Sequence, residues 1–225
     1  MQHSLFAGLV ATVEPGEKEK PSPKLNKVLL EDAVFTVIDL ETTGLNARKS
    51  GITEVVAISY RNGKEEKFFG SLVKPTEEIP EEVEMLTGIT NDMVRNAPPL
   101  ITVLGELTNF LGDNPLLVGH NVSFDIGFLR EKIEQSGLGA FLERYELEKS
   151  FCTKALAVKG VPGLPSYEGI MVATALGYHN PNPHRAEADV RMSAAILFAL
   201  LDKLRTENPK IKTVQDLLTW QGALR

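Results

Sequence analysis

The sequence predicts one α/β domain, a mixed sheet with helices packed on its faces. Residues 34–40, VFTVIDL, form a near-continuous apolar and β-branched run, as a central strand buried on both faces requires. Two more strand-like segments follow as a meander, and the pattern then changes to alternating helices and strands. At 225 residues and 43% hydrophobic content, the chain can bury one core and carry short appendages.

The elements are read in chain order. Residues 1–27 are an N-terminal segment and linker: residues 4–13 are a short helix or a frayed end, and residues 14–27, EPGEKEKPSPKLNK, combine three prolines with dense charge. The domain proper spans residues 28–205. After the central strand come strands at 54–60 and 66–73, joined at Asn62-Gly63, a hairpin signal because both residues tolerate positive φ. A short helical segment follows Pro80 and ends at Thr87-Gly88, with a capped turn at Thr90 to Asp92 and an amphipathic helix over residues 100–111. Residues 116–118 read as a short buried strand. Ser123 is expected to N-cap a helix with an apolar stripe of Phe124, Phe128, Leu129 and Ile133. Residues 186–204 form a longer helix, with Asp189 in its first turn and Met192, Ile196, Leu200 and Leu204 behind it. Residues 206–225 are a helical tail, in which VQDLLTW is an amphipathic helix capping the domain.

Composition narrows the function classes. No apolar stretch approaches the ~20 residues of a membrane-spanning helix, and no Lys or Arg precedes the apolar run at 5–13, so a cytoplasmic address is expected and no membrane partner. The only cysteine, Cys152, reads as a small buried hydrophobe in a reducing compartment. A net charge of −6 disfavours a broad basic surface that holds duplex DNA by counterion release alone. Divalent cations bound by acidic residues reverse that argument locally.

Such acids are present. Asp39 and Glu41 lie two residues apart at the end of the central strand, so both carboxylates point to one side. They would repel each other unless cations sat between them. Asp125 follows the strand at 116–118 and the segment Gly119-His120-Asn121, in the first turn of the next helix. The third cluster is HRAEAD, His184 to Asp189. Positions five apart on one helix differ by about 140° around its axis, so His184 belongs to the loop before the helix, where Pro181 and Pro183 also place it. Plainer readings stand beside these: Asp39 and Glu41 as a solvated pair, Asp125 as an ordinary helix-start acid. Carboxylate oxygens suit Mg²⁺ or Mn²⁺, whereas zinc prefers thiolates and imidazoles. Two such ions about 4 Å apart clamp the attacking and leaving oxygens of a phosphoryl displacement, and an imidazole is suited to take the proton of the attacking water.

Together, FTVIDLETTG at residues 35–44, GHNVSFD at 119–125 and His184-x4-Asp189 resemble the three exonuclease motifs of the DEDDh (DnaQ-like) family. That group includes the proofreading subunit of the bacterial replicative polymerase and RNase T. The resemblance extends from residue 28 to about residue 204. It implies an RNase H-like fold with a mixed five-stranded sheet, two divalent metal ions held by Asp39, Glu41, Asp125 and Asp189, and His184 as general base. It also implies hydrolysis from a free 3′ end, with release of nucleoside 5′-monophosphates. Thr42, Leu86, Thr87, His120 and Phe124 correspond to substrate contacts of the family, although Leu86 and Phe124 also read as core and Thr87-Gly88 as a helix stop. The expected partner is nucleic acid with a free 3′ end, single-stranded DNA first and RNA or short oligonucleotides as the alternative. VQDLLTW also resembles a sliding-clamp peptide, so a polymerase or clamp is a further candidate partner. A binding module without chemistry is disfavoured, since every catalytic carboxylate of the family has its counterpart.

Overall fold

The computed structural model describes residues 24–139, 145–146 and 149–224. The apolar run becomes strand β1 (Val34–Thr42), central in a five-stranded sheet of order β3-β2-β1-β4-β5. β2 (Ile52–Arg61) and β3 (Lys64–Leu72) complete the antiparallel meander, while β4 (Leu116–Gly119) and β5 (Phe151–Cys152) add on in parallel. The hairpin turn has φ 47° at Asn62 and 76° at Gly63, the mirror-type geometry that the strand twist favours.

Alternation along β1 sorts the molecule into layers. Phe35 and Val37 join Val56, Ile58 and Tyr60 of β2 in a core completed by α5 (Thr153–Gly160), α6 (Gly169–Ala175), α7 (Ala186–Glu207) and α8 (Val214–Gln221). Ile38 and Leu40 point the other way, with Val55 and Ala57, onto α3 (Leu100–Leu111) and α4 (Ser123–Gln135). Helices therefore cover both faces of a mixed five-stranded sheet. The remaining helices, α1 (Glu81–Thr87) and α2 (Asn91–Val94), form with Ile79, Ile89 and Val94 a separate small cluster.

Several details depart from the sequence reading. Ser123 is the first helical residue of α4 and not its cap: Val122 precedes it in helical geometry, and Asn121, at φ 67°, makes the turn out of β4. The left-handed Asn turns the chain without a capping hydroxyl. Strand β5 and helices α5 and α6 carried no readable signal; helices of seven or eight residues exist here through packing against α7, and the two-residue strand through pairing with β4.

The chain ends of the domain are strapped together. Leu25–Lys27 form a 3₁₀ turn, Leu29 bridges Thr213, and Val214 N–H donates to Val28 O at 2.9 Å. Helix α8 starts at a reciprocal capping box between Thr213 and Asp216 and buries Val214 and Leu217 in the α7 core. Its last residue, Gln221, caps the edge of β5: its side chain accepts from Cys152 N–H at 2.8 Å and donates to Ser150 O at 3.1 Å. Cys152 itself is buried. The helix expected at residues 4–13 lies outside the described residues. Among the described residues no helix is long and apolar enough to cross a membrane.

Candidate active site

Parity places Asp39 and Glu41 on the α7 side of the sheet, beyond Phe35 and Val37, where apolar packing gives way to carboxylates. β2 pairs with β1 along its length, setting Glu41 opposite Glu54. β4 pairs only with residues 35–37, so the far edge of β1 loses its partner. Asp125 fills part of that gap: from the first turn of α4 its Oδ1 accepts the Leu40 N–H at 3.1 Å. The acid thereby satisfies a backbone donor and stands beside Asp39.

The third segment arrives from α7. Asp189 lies in its first turn, and His184 sits in the loop before it at φ 62°, a left-handed conformation unusual for a side chain with a Cβ. Polar contacts hold that loop. Asp189 Oδ2 accepts His184 N–H at 2.9 Å, and Asp189 Oδ1 accepts from Asn180 Nδ2 at 2.7 Å. Arg185 forks onto Glu54 at 2.9 and 3.3 Å, and Glu54 also accepts Ala186 N–H at 3.1 Å, so a β2 carboxylate caps the start of α7.

One oxygen from each of Asp39, Glu41 and Asp189 lies within 4.8 Å of the others. Electrostatics follow from this crowding. Burial, then Asp125, Glu41, Asp189 and Glu54, push Asp39 well above the carboxylate range. Glu41 is pushed up to about 8 by burial, Asp189, Glu54 and Asp125, against the pull of Arg185. Burial raises Asp125 to about 7 despite its backbone hydrogen bonds, and burial also raises Asp189. These shifts all favour the protonated acids when no cation is bound; a divalent ion would be held by these carboxylates and would offset their mutual repulsion. The donor set is all hard oxygen, which fits Mg²⁺ or Mn²⁺ and not a thiophilic metal.

The structure brings together the five residues read as catalytic, Asp39, Glu41, Asp125, Asp189 and the His184 backbone, around the end of β1. The other five predicted residues differ in their settings. Thr42 is buried and donates to Gly44 O. Thr87 is buried and donates to Val83 O, so it finishes α1, while its neighbour Leu86 is 57% exposed. Phe124 is partly buried against Phe128, ring centroids 4.8 Å apart. His120 spends both ring nitrogens internally, on Thr153 Oγ1 at 2.8 Å and Tyr167 O at 2.9 Å, and its burial lowers its basicity.

Sequence reasoning missed Glu54, Arg185 and Asn180. Glu54 had a signal: it shares the parity of Val56, Ile58 and Tyr60, so a charge stands where the strand faces the core. Arg185 and Asn180 had none beyond adjacency to His184, because their partners are set by tertiary structure.

Residues 36–197 match the exonuclease family. The chain is 37% identical to the DNA polymerase III subunit epsilon of Aquifex aeolicus, over 82% of this chain and 90% of that one. It is 32% identical to the 3′-5′ exonuclease DinG of Bacillus subtilis, over 76% of this chain but only 18% of that one. Among solved structures, exonuclease X in complex with 5′ overhanging duplex DNA superposes with a TM-score of 0.61 at 25% identity, covering 84% of this chain and 99% of that one. Exonuclease I shares the fold, with a TM-score of 0.64 at 19% identity over 84% of this chain and 43% of that one. With the acidic cluster at the end of its central strand, the chain belongs to this divalent-metal-dependent exonuclease family, as a DnaQ-like 3′-to-5′ exonuclease of the DEDD type with an RNase H-like fold.

Proposed function

We propose that this exonuclease acts on DNA, removing nucleoside 5′-monophosphates from single-stranded or frayed 3′ ends with two bound divalent ions and His184 as general base. The observation that carries the reading is the trio Asp39, Glu41 and Asp189, with oxygens within 4.8 Å of one another, joined through Asp189 to the His184 backbone. Asp39, Glu41, Asp125 and Asp189 are the residues to hold two ions, Mg²⁺ or Mn²⁺. When bound, such a pair supplies Lewis acidity at the attacking and leaving oxygens of an in-line displacement. His184 takes a proton from the attacking water, the water oxygen bonds to phosphorus, and the bond from phosphorus to the 3′ oxygen of the preceding nucleotide breaks. That oxygen picks up a proton, leaving a shortened strand and a free 5′-monophosphate.

Thr42, Leu86, Thr87, His120 and Phe124 are assigned to the terminal nucleotide. The exposed Leu86 suits a base face, whereas the engaged ring of His120 contributes shape more than hydrogen bonds. Residues 28–205 form the catalytic unit in this reading, with residues 206–225 as its structural tail and a cytoplasmic address. The likeness to a polymerase III subunit supports a polymerase or clamp partner and a proofreading or repair role. The exonuclease X complex supports DNA over RNA, since the nucleic acid bound there is a duplex DNA with a 5′ overhang.

The test is a gel assay with 5′-labelled single-stranded DNA, 3′-recessed duplex and RNA of the same sequence, each with Mg²⁺, Mn²⁺ or EDTA. A metal-dependent ladder shortening from the 3′ end of DNA is expected. A ladder on RNA alone would move the assignment to an exoribonuclease, and intact strands in every lane would refute the catalytic reading.

A further inference from the structure

We infer that Asn180 is a positioning residue of this site: its side-chain amide aims the Asp189 carboxylate and locks the left-handed turn that carries His184. The inference rests on the proposed metal-binding role of Asp189. Asn180 is 8% exposed, and its amide is used in both directions. Nδ2 donates to Asp189 Oδ1 at 2.7 Å, while Oδ1 accepts Asn182 N–H at 3.1 Å. Asp189 Oδ2 accepts the His184 N–H at 2.9 Å. A continuous chain of hydrogen bonds therefore runs from the Asn182 backbone through Asn180 and Asp189 to the His184 backbone.

This arrangement has two consequences. Donors from one loop engage both oxygens of Asp189, so rotation of the carboxylate about Cβ–Cγ is fixed before any ion arrives, as outer partners of metal ligands commonly do. The same bonds close the loop onto α7 and over-determine a backbone conformation that costs on the order of 1 kcal/mol for a residue with a Cβ. The amide meets the local demand at both ends, Nδ2 donating toward a carboxylate and Oδ1 accepting from a backbone N–H. The second Nδ2 direction lies 3.7 Å from Met192 Sδ, which walls Asn180 off on the core side.

The experiment compares the full chain with Asn180→Leu and Asn180→Ala. It measures Mn²⁺ binding by calorimetry with the metal alone, cooperative melting without metal, and kcat and KM on a 5′-labelled single-stranded oligonucleotide. We expect Mn²⁺ binding at least about tenfold weaker, kcat lower by a similar factor and KM for DNA within about twofold of wild type, with melting still cooperative. Mn²⁺ affinity and kcat within about twofold of wild type in a folded variant would overturn the inference. Loss of cooperative melting in both variants would overturn it as well, by making Asn180 a requirement of the fold. Wild-type protein that binds Mn²⁺ but leaves every oligonucleotide intact would remove the nuclease reading, while the Mn²⁺ comparison would still judge Asn180. Absence of Mn²⁺ uptake by the wild type would defeat both.

Discussion

Asp39 and Glu41 stand on a strand that β2 pairs along its length, so their placement follows from backbone register alone. His184 stands in an exposed loop at φ 62°, held by side-chain contacts from Asp189 and, through its neighbour Arg185, from Glu54. These two acids occupy a strand fixed by backbone pairing, whereas His184 depends on a few polar bonds. Substitutions in the first region are therefore expected to change chemistry without harming the fold. Those in the second should change chemistry and local order together.

The largest expected effect is that of Asp39→Ala. Activity should fall by on the order of 10³-fold or more, because the proposed metal site loses an acid at its centre. The thermal midpoint without metal should stay level or rise, since burial and four neighbouring acids oppose the charge on Asp39. Melting curves and single-turnover rates decide it, and a variant that both cuts and binds metal like wild type would end the assignment.

His184→Ala comes next. General-base catalysis contributes about 10²- to 10⁴-fold, so kcat should drop within that range while metal binding survives. The pH-rate profile should lose the limb reporting imidazole ionisation, and an unchanged profile would exclude His184 as the base.

A third effect belongs to the acids alone. Glu41 is raised to about 8 and Asp125 to about 7, with Asp39 and Asp189 also raised. Between about pH 4 and pH 8 the folded state thus holds more protons than the unfolded chain, so metal-free stability must fall as pH rises. The contribution is fully present below the unfolded carboxylate range and is lost through about pH 8, on the order of several kcal/mol in sum. Calorimetric melting from pH 5 to 8.5 in EDTA tests this, and Mg²⁺ or Mn²⁺ should flatten the slope. A midpoint in EDTA that rises with pH would contradict the picture of a proton-holding cluster.

The same contrast explains what the sequence could reveal. Asp39 and Glu41 were legible because β1 announces itself by an apolar run and period 2 fixes their common face. Asp189 and the looped His184 were legible because α7 is long and periodic and prolines precede it. Glu54, Asn180 and Arg185 were not read as part of the site, since their meaning depends on partners brought close only by folding; Arg185 reaches Glu54 across 131 residues. Strand β5 was invisible for a related reason: a two-residue strand is made by its neighbour β4 and by the Gln221 side chain at its edge.

The smallest effect, and the one that sharpens the contrast most, is that of Arg185→Ala. The guanidinium is 34% exposed and its partner Glu54 10%, so the pair is partly screened, and loss of the fork should cost about 1–2 kcal/mol. For a chain of this size that lowers the thermal midpoint by a few degrees. Glu54 keeps the Ala186 N–H, so α7 should still start at the same residue. The loop before it should loosen, lowering kcat by about three- to tenfold with KM nearly unchanged. Arg185→Lys preserves the charge but not the two-pronged geometry, so it should resemble Ala more than wild type. If Lys restored full activity, charge alone would be what Arg185 supplies, through its pull on Glu41, and the loop would be held by Asn180 and Asp189 without it.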